Sequence, residues 1–152
     1  MSLTIREARA ADARVIAEYN VRLARESENK PLEPDVVVAG VQALLESPEQ
    51  GRYFVAERDG EVIGQLLITY EWSDWRNGLF WWIQSVYVPL QCRRSGIFSE
   101  LYRHVTELAK ASSDVCGIRL YVESENTRAL HTYSALGMID TGYQVMEVEF
   151  ER

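Results

Sequence analysis

The apolar pattern of this chain changes period at Pro89. Leu79 to Val88 forms a continuous strand-like run ahead of it. After it, Ile97, Leu101, Val105, Leu108 and Ala109 recur at the three- and four-residue steps that line one helical face. Ile118 to Val122 is again short and apolar, as a strand is. Strand, helix and strand in that order form a crossover, so the two strands are predicted to be parallel.

Upstream the pattern is different. Leu3 to Arg9 alternates as a strand, and Asp12 is placed to cap a helix carrying Val15, Ile16, Tyr19 and Leu23. Pro34 and Asp35 open a second helix with Val37, Val38, Val41, Leu44 and Leu45, and Ser47-Pro48 stops it. Tyr53 to Glu57 and Val62 to Tyr70 flank Asp59-Gly60, a hairpin signal, and Asn77-Gly78 marks another turn before Leu79. These strands are predicted to be antiparallel. Downstream, Asn126 caps a last helix with Ala129, Leu130, Tyr133 and Leu136, Gly137 ends it, and the tail alternates with Met146, Val148 and Phe150 on one face. The expected fold is α/β, with a mixed, mostly antiparallel sheet of six to seven strands flanked by about four helices.

The 152 residues suit one domain spanning 1–152, and 47% hydrophobic with 26% charged residues is the balance of an ordinary globular protein. A net charge of −7 repels a polyphosphate backbone, so nucleic acid is not an expected partner. Apolar runs such as Phe80 to Ile83 and Val36 to Val41 fall far short of the roughly 20 residues of a membrane span, and a cytoplasmic location is expected. Cys92 and Cys116 read as free thiols. With His104 and His131 they form no metal-ligand spacing, so no metal is expected.

The segment Val86-Tyr87-Val88-Pro89-Leu90-Gln91-Cys92-Arg93-Arg94-Ser95-Gly96-Ile97-Phe98-Ser99 carries the chemistry. It is a strand that empties through a basic turn into a helix. Unpaired N–H groups and the positive end of the helix dipole converge at such a start, and a glycine there lets an anion approach the backbone. No phosphate-loop pattern of nucleotide hydrolases and no dinucleotide glycine pattern is present. Arg93 to Phe98 resembles instead the pyrophosphate loop of the GNAT family of N-acetyltransferases, Gln/Arg-x-x-Gly-x-Gly/Ala. It matches at Arg93 and Gly96 and departs where Phe98 replaces a small residue. A second stretch, Glu125 to Met138, is similar to that family's Asn-x-x-Ala-x-x-x-Tyr-x-x-x-Gly-Phe. The match holds at Asn126, Ala129, Tyr133 and Gly137, with Met138 in place of Phe.

The resemblance implies acetyl-CoA as cosubstrate, held where the fourth and fifth strands splay apart. The pantetheine arm would lie along the backbone of Val86, Tyr87 and Val88, and Arg93, Arg94, Ser95, Gly96, Ile97, Phe98 and Ser99 would cradle the pyrophosphate. Asn126 and Ala129 complete the implied cofactor contacts, Asn126 being equally suited to plain helix capping. Tyr133 is the implied acid that assists departure of the thiolate. The usual strand carboxylate that serves as base is replaced by Gln84. Glu71 and Glu123 are alternatives, and the base is unassigned. Trp72, Trp75, Trp81 and Trp82 fall in one hairpin, as core, as a dimer contact or as a pocket for an amine. The implied function is acetyl transfer to a primary amine by direct attack in a ternary complex, by a chain expected to be a homodimer. The alternative, favoured by Gln84, is a weak or inactive CoA-binding regulatory module of the same fold.

Overall fold

A computed structural model describes residues 2–151, which fall into two compact units divided between Leu120 and Tyr121. The first unit contains β1 (Thr4–Glu7), α1 (Ala13–Glu28), α2 (Pro34–Leu45), β2 (Gly51–Arg58), β3 (Glu61–Ser73), β4 (Gly78–Tyr87), α3 (Ile97–Ala111) and β5 (Val115–Leu120). The sheet runs β1-β2-β3-β4-β5. Its first three pairings are antiparallel and the β4–β5 pairing is parallel, as the period change at Pro89 predicts.

Local chemistry explains most of the joints. Asp59 and Gly60 both take positive φ (53° and 79°), the mirror-image turn that lets two twisted strands meet through two residues. Asn77-Gly78 behaves otherwise. Asn77 ends a longer connection with φ 51°, and Gly78 is already the first strand residue, paired with Ser73. A Cβ on Gly78 would lie 3.2 Å from both the Asp114 carbonyl oxygen and the Cys116 Cβ, so the glycine there serves close approach to β5. β5 itself starts three residues earlier than the apolar run Ile118 to Val122 suggests. Gly117 lies beneath the Phe80 ring, where an added Cβ would meet Cε1 at 2.7 Å, and this contact extends the strand through a residue that reads as a breaker.

Alternation along the strands sorts side chains into two layers. Phe54, Leu66, Ile68, Trp81 and Ile83 pack against Ile97, Leu101 and Val105 of α3. On the other face Tyr53, Val55 and Leu67 pack against Ile16 and Ala17 of α1 and Val41 of α2. The tryptophans therefore do not act together. Trp81 is core, Trp82 lies on the opposite face and gives its indole N–H to Glu71, and Trp72 and Trp75 are exposed at 58% and 84%.

The second unit holds one helix, α4 (Thr127–Ala135), bounded at both ends by its own sequence. Asn126 Oδ1 accepts from the Ala129 N–H at 3.1 Å. At the other end Gly137 takes φ 92°, its N–H donates to the Ser134 carbonyl, and the Met138 N–H reaches back to the Tyr133 carbonyl. That pair of bonds is the glycine-ended helix stop.

The sheet has five strands, not the six to seven expected. The difference lies in the tail, where no strand forms among the described residues after Leu120. Alternation of Met146, Val148 and Phe150 equips a segment to be a strand, but a strand also needs a neighbour to accept its N–H and C=O groups.

Candidate functional site

The site begins with an irregularity in β4. Leu67 faces Gln84, yet Gln65 faces Tyr87, so two steps on β3 oppose three on β4. The extra residue is a bulge, and Ser85 carries it with φ 51°. Gln65, buried in the middle of an apolar strand, holds the bulge in place. Its Nε2 donates to the Ser85 carbonyl at 3.1 Å and to Asn20 Oδ1 at 2.8 Å, and Asn20 Nδ2 in turn reaches the Tyr53 hydroxyl at 3.4 Å. Gln65 Oε1 has no partner among the described residues. Nothing local in Gln84-Ser85-Val86 announces this. The signal was the lone polar Gln65 between Ile63 and Leu66.

The pairing of the parallel strands ends before β4 does. β4 pairs with β5 from Leu79 only as far as Ile83, opposite Leu120, whereas β4 continues to Tyr87. From Gln84 onward its outer backbone edge pairs with no strand of the first unit, and Val86, Tyr87 and Val88 lie on this stretch. On the helical side a cavity of about 270 Å³ opens beside the bulge, lined by Asn20, Leu23, Glu28, Leu32, Val37 and Ser85.

The turn that follows is tied down by α1. The Arg93 guanidinium donates from Nε to the Val88 carbonyl at 2.7 Å and from Nη2 to Glu26 Oε1 at 2.6 Å, while the Tyr87 hydroxyl donates to Glu26 Oε2 at 2.6 Å. Arg93 also lies over the Tyr87 ring, 5.4 Å from its centre. Arg93, and then the Tyr87 hydroxyl, hold the Glu26 carboxyl below its usual range. Burial, and then Glu26, push the Tyr87 phenol up. Arg93 thus braces the turn against α1. Arg94 is exposed, adopts φ 64° and has no carboxylate partner among the described residues.

Ser95 Oγ donates to the Cys92 carbonyl at 2.6 Å, and Gly96, at φ 83°, starts α3. The first bond closing the helix runs from the Glu100 N–H to the Gly96 carbonyl, which leaves the earlier N–H groups directed out of the helix end. The space over Gly96 is open, with nothing within 4 Å of where a Cβ would stand. Ile97 anchors this end in the core. It fits because residue 64 is glycine, where a Cβ would come within 2.7 Å of Ile97 Cγ2. Phe98 lies along the helix against Tyr102, ring centres 6.0 Å apart, and Ser99 is exposed. A large side chain replaces the usual small residue without blocking the helix end.

Gln84 and Glu71 are engaged within the sheet. Gln84 Nε2 donates to Thr69 Oγ1 at 2.6 Å. Glu71 accepts from Arg119 at 2.9 Å and from the Trp82 indole at 2.8 Å, and Glu123 is exposed in the second unit. Asn126, Ala129 and Tyr133 all belong to that unit. Asn126 caps α4, and burial pushes the Tyr133 phenol above its ordinary value. Among the described residues no group of three potential metal ligands converges, and no helix is long and apolar enough to cross a membrane.

An open strand edge beside an unblocked helix N-terminus is the geometry that binds an extended chain with an anionic end. The chain belongs to the Acetyltransferase (GNAT) family, which it matches over residues 15–138. It is 44% identical to a possible acetyltransferase from Clostridium difficile 630 of known structure, with each chain covered fully and a TM-score of 0.92. Two more distant structures share the fold. A ribosomal-protein-alanine N-acetyltransferase from Brucella melitensis biovar Abortus 2308 is 15% identical with TM-score 0.78, over 99% of this chain and 100% of that one. A predicted acetyltransferase with acetyl-CoA from Clostridium acetobutylicum is 16% identical with TM-score 0.80, over 97% and 96%. No curated protein matches the chain.

Proposed function

We propose that this chain transfers an acetyl group from acetyl-CoA to a primary amine by direct attack in a ternary complex, acting as a single cytoplasmic domain that pairs as a homodimer. The observation that carries the reading is the length of β4 beyond its pairing with β5, from Gln84 to Tyr87, ahead of a helix that starts at an open Gly96. The residues fit the cosubstrate. The amides of a pantetheine arm would lie along the backbone of Val86, Tyr87 and Val88, where the Val88 carbonyl already accepts from Arg93. The N–H groups of the Ser95 to Ser99 turn, with the Arg94 side chain, suit a pyrophosphate. Arg93, already bound to Glu26, acts by keeping the turn in place.

Acetyl-CoA supplies an activated acyl carbon and a sulfur leaving group. Tyr133 is the proton donor to that sulfur, a phenol whose pKa burial raises. With Gln84 of β4 an amide bound to Thr69 and Glu71 of β3 paired with Arg119, no base is assigned to the strands and the amine loses its proton to solvent before attack. The amine class agrees with the name of the Brucella fold neighbour and the cosubstrate with that of the C. acetobutylicum one. A panel of amines assayed for CoA thiol release tests the reading. Release with one or more amines is expected. Tight acetyl-CoA binding with no release across primary amines, peptides and polyamines would favour the second reading that Gln84 motivates, a CoA-binding regulatory module.

A further inference from the structure

The cavity beside the β4 bulge is built chiefly by the second half of α1, and the way α1 stops completes its wall. Asn29 takes φ 50°, its N–H returns to the Arg25 carbonyl at 3.0 Å, and the Lys30 N–H reaches the Ala24 carbonyl at 3.1 Å. This left-handed stop turns the chain out of the helix. Leu32, in the link that follows, then joins Leu23 and Ala24 of α1 and Val37 of α2 in an aliphatic lining. The polar lining residues of α1 are Asn20 and Glu28. Glu28 stands eight residues after Asn20, about 12 Å along the helix axis. Asn20 is already engaged, since its Oδ1 accepts from the Gln65 amide that also holds the Ser85 carbonyl. Glu28 is not. Glu18 is paired with Arg22 and Glu26 with Arg93, whereas the exposed Glu28 has neither ion pair nor side-chain hydrogen bond among the described residues. Arg25 and Lys30, its basic neighbours in sequence, do not line the cavity.

An aliphatic slot with a carboxylate at one end and the strand bulge at the other suits a run of methylenes that carries a cation at its far end. Its volume of about 270 Å³ is just below the roughly 300–1,000 Å³ of sites for drug-sized ligands, so the occupant is a small molecule. The net charge of −7 draws cations towards it. We propose that the acceptor is a small aliphatic diamine and that Glu28 sets this specificity. One amine is acetylated at the Ser85 end, the methylenes lie on Leu23, Leu32 and Val37, and the second ammonium rests on Glu28. The assignment rests on the acetyl-transfer reading, in which the bulge adjoins the stretch of β4 given to the pantetheine arm. In the reaction the N–C bond forms and the C–S bond breaks. The attacking nitrogen gives up one proton and the departing thiolate takes up one, so the products are a monoacetyl diamine and CoA. The remote ammonium keeps its charge throughout, which is why a carboxylate there acts on binding and not on chemistry.

Rates of CoA thiol release with hexamethylenediamine and with hexylamine, at saturating acetyl-CoA, test the assignment in the wild type, Glu28→Gln and Leu32→Trp. Beyond the statistical advantage of its two equivalent amines, the diamine should be preferred by the wild type about fivefold in kcat/KM, the size of effect an exposed ion pair supports. Glu28→Gln should reduce that preference to the statistical one. Leu32→Trp fills the cavity from the link and not from a helix, so it should raise KM for both amines while calorimetry shows acetyl-CoA still bound. Circular dichroism checks that each variant is folded. The same preference in the wild type and Glu28→Gln, or a wild type that uses hexylamine as well as the diamine, would overturn the role of Glu28. Unaltered amine KM in Leu32→Trp would place the acceptor outside the cavity and overturn the site. Turnover of lysine peptides but not of the diamine would overturn the substrate class. Acetyl-CoA binding with no release for any amine would overturn the acetyl-transfer reading and this assignment with it, whereas each of the other outcomes requires turnover and leaves that reading standing.

Discussion

Replacing Gln65 with methionine removes the donor that holds the β4 bulge while nearly preserving side-chain volume. In the structure the Gln65 Nε2 serves two acceptors, the Ser85 carbonyl and Asn20 Oδ1. Each acceptor stranded in a buried site costs about 1–3 kcal/mol. Asn20 lines the cavity and can turn to water, which recovers most of its share, and removal of the already unpartnered Gln65 Oε1 offsets some of the rest. The net loss is therefore about 2 kcal/mol, which for a chain of this size lowers the midpoint of thermal unfolding by roughly 4–8 °C. The same change frees Ser85 from its positive φ, so the edge from Gln84 to Tyr87 is no longer preset for a ligand. Acetyl-CoA binding should weaken about tenfold, equivalent to about 1.4 kcal/mol of lost preorganisation. Differential scanning calorimetry and acetyl-CoA titration of the same preparation check both effects. A Gln65→Met protein that unfolds at the wild-type temperature and binds acetyl-CoA equally well would refute the role given to this residue.

Other outcomes follow from the same geometry. Tyr133→Phe should lower kcat by roughly ten- to a thousandfold with little change in acetyl-CoA affinity, because a proton donated to departing sulfur matters only in the transition state; steady-state kinetics with titration of binding checks this. The wild-type rate should climb with pH towards the pKa of the acceptor amine, and Gln84→Glu should flatten that climb in a pH–rate profile by supplying a base beside Thr69. Asp12, held below its ordinary value of 3.8 chiefly by Arg6, contributes stability that is fully present above that value and is lost as pH falls through its lower folded value. Asp12→Asn should therefore destabilise the protein at pH 7 by about 1–3 kcal/mol and narrow the difference from wild type in acid, as read by denaturant unfolding across pH.

The elements that could be read from sequence are those whose determinants are local. Asp59-Gly60 makes its turn without help from elsewhere, Asn126 and Gly137 bracket α4 with their own hydrogen bonds, and the change of period at Pro89 sets β4, α3 and β5 in order. The missing features depend on distant partners. Ser85 is driven into positive φ with Gln65, twenty positions away, gripping its carbonyl. Arg93 is held against α1 by Glu26, sixty-seven positions away. The four tryptophans look like one feature in the sequence, but alternation and the end of the hairpin send them to core, opposite face and solvent. Phe98, a departure from the family pattern, lies along the helix against Tyr102, a placement set by helical geometry and not legible from the loop itself. The alternating tail reads as a strand because alternation records which face is to be buried, and not which neighbour will cover it.

Calorimetric titration of the folded protein with acetyl-CoA, alongside Arg94→Glu, tests the account at its centre. One site per chain with measurable heat is predicted for the wild type, and a weakening of at least tenfold for the charge reversal, since Arg94 is the exposed cation next to the open N-terminus of α3. Absence of binding by the wild type, or identical affinity in the two proteins, would contradict the assignment of this strand edge and turn to the cosubstrate.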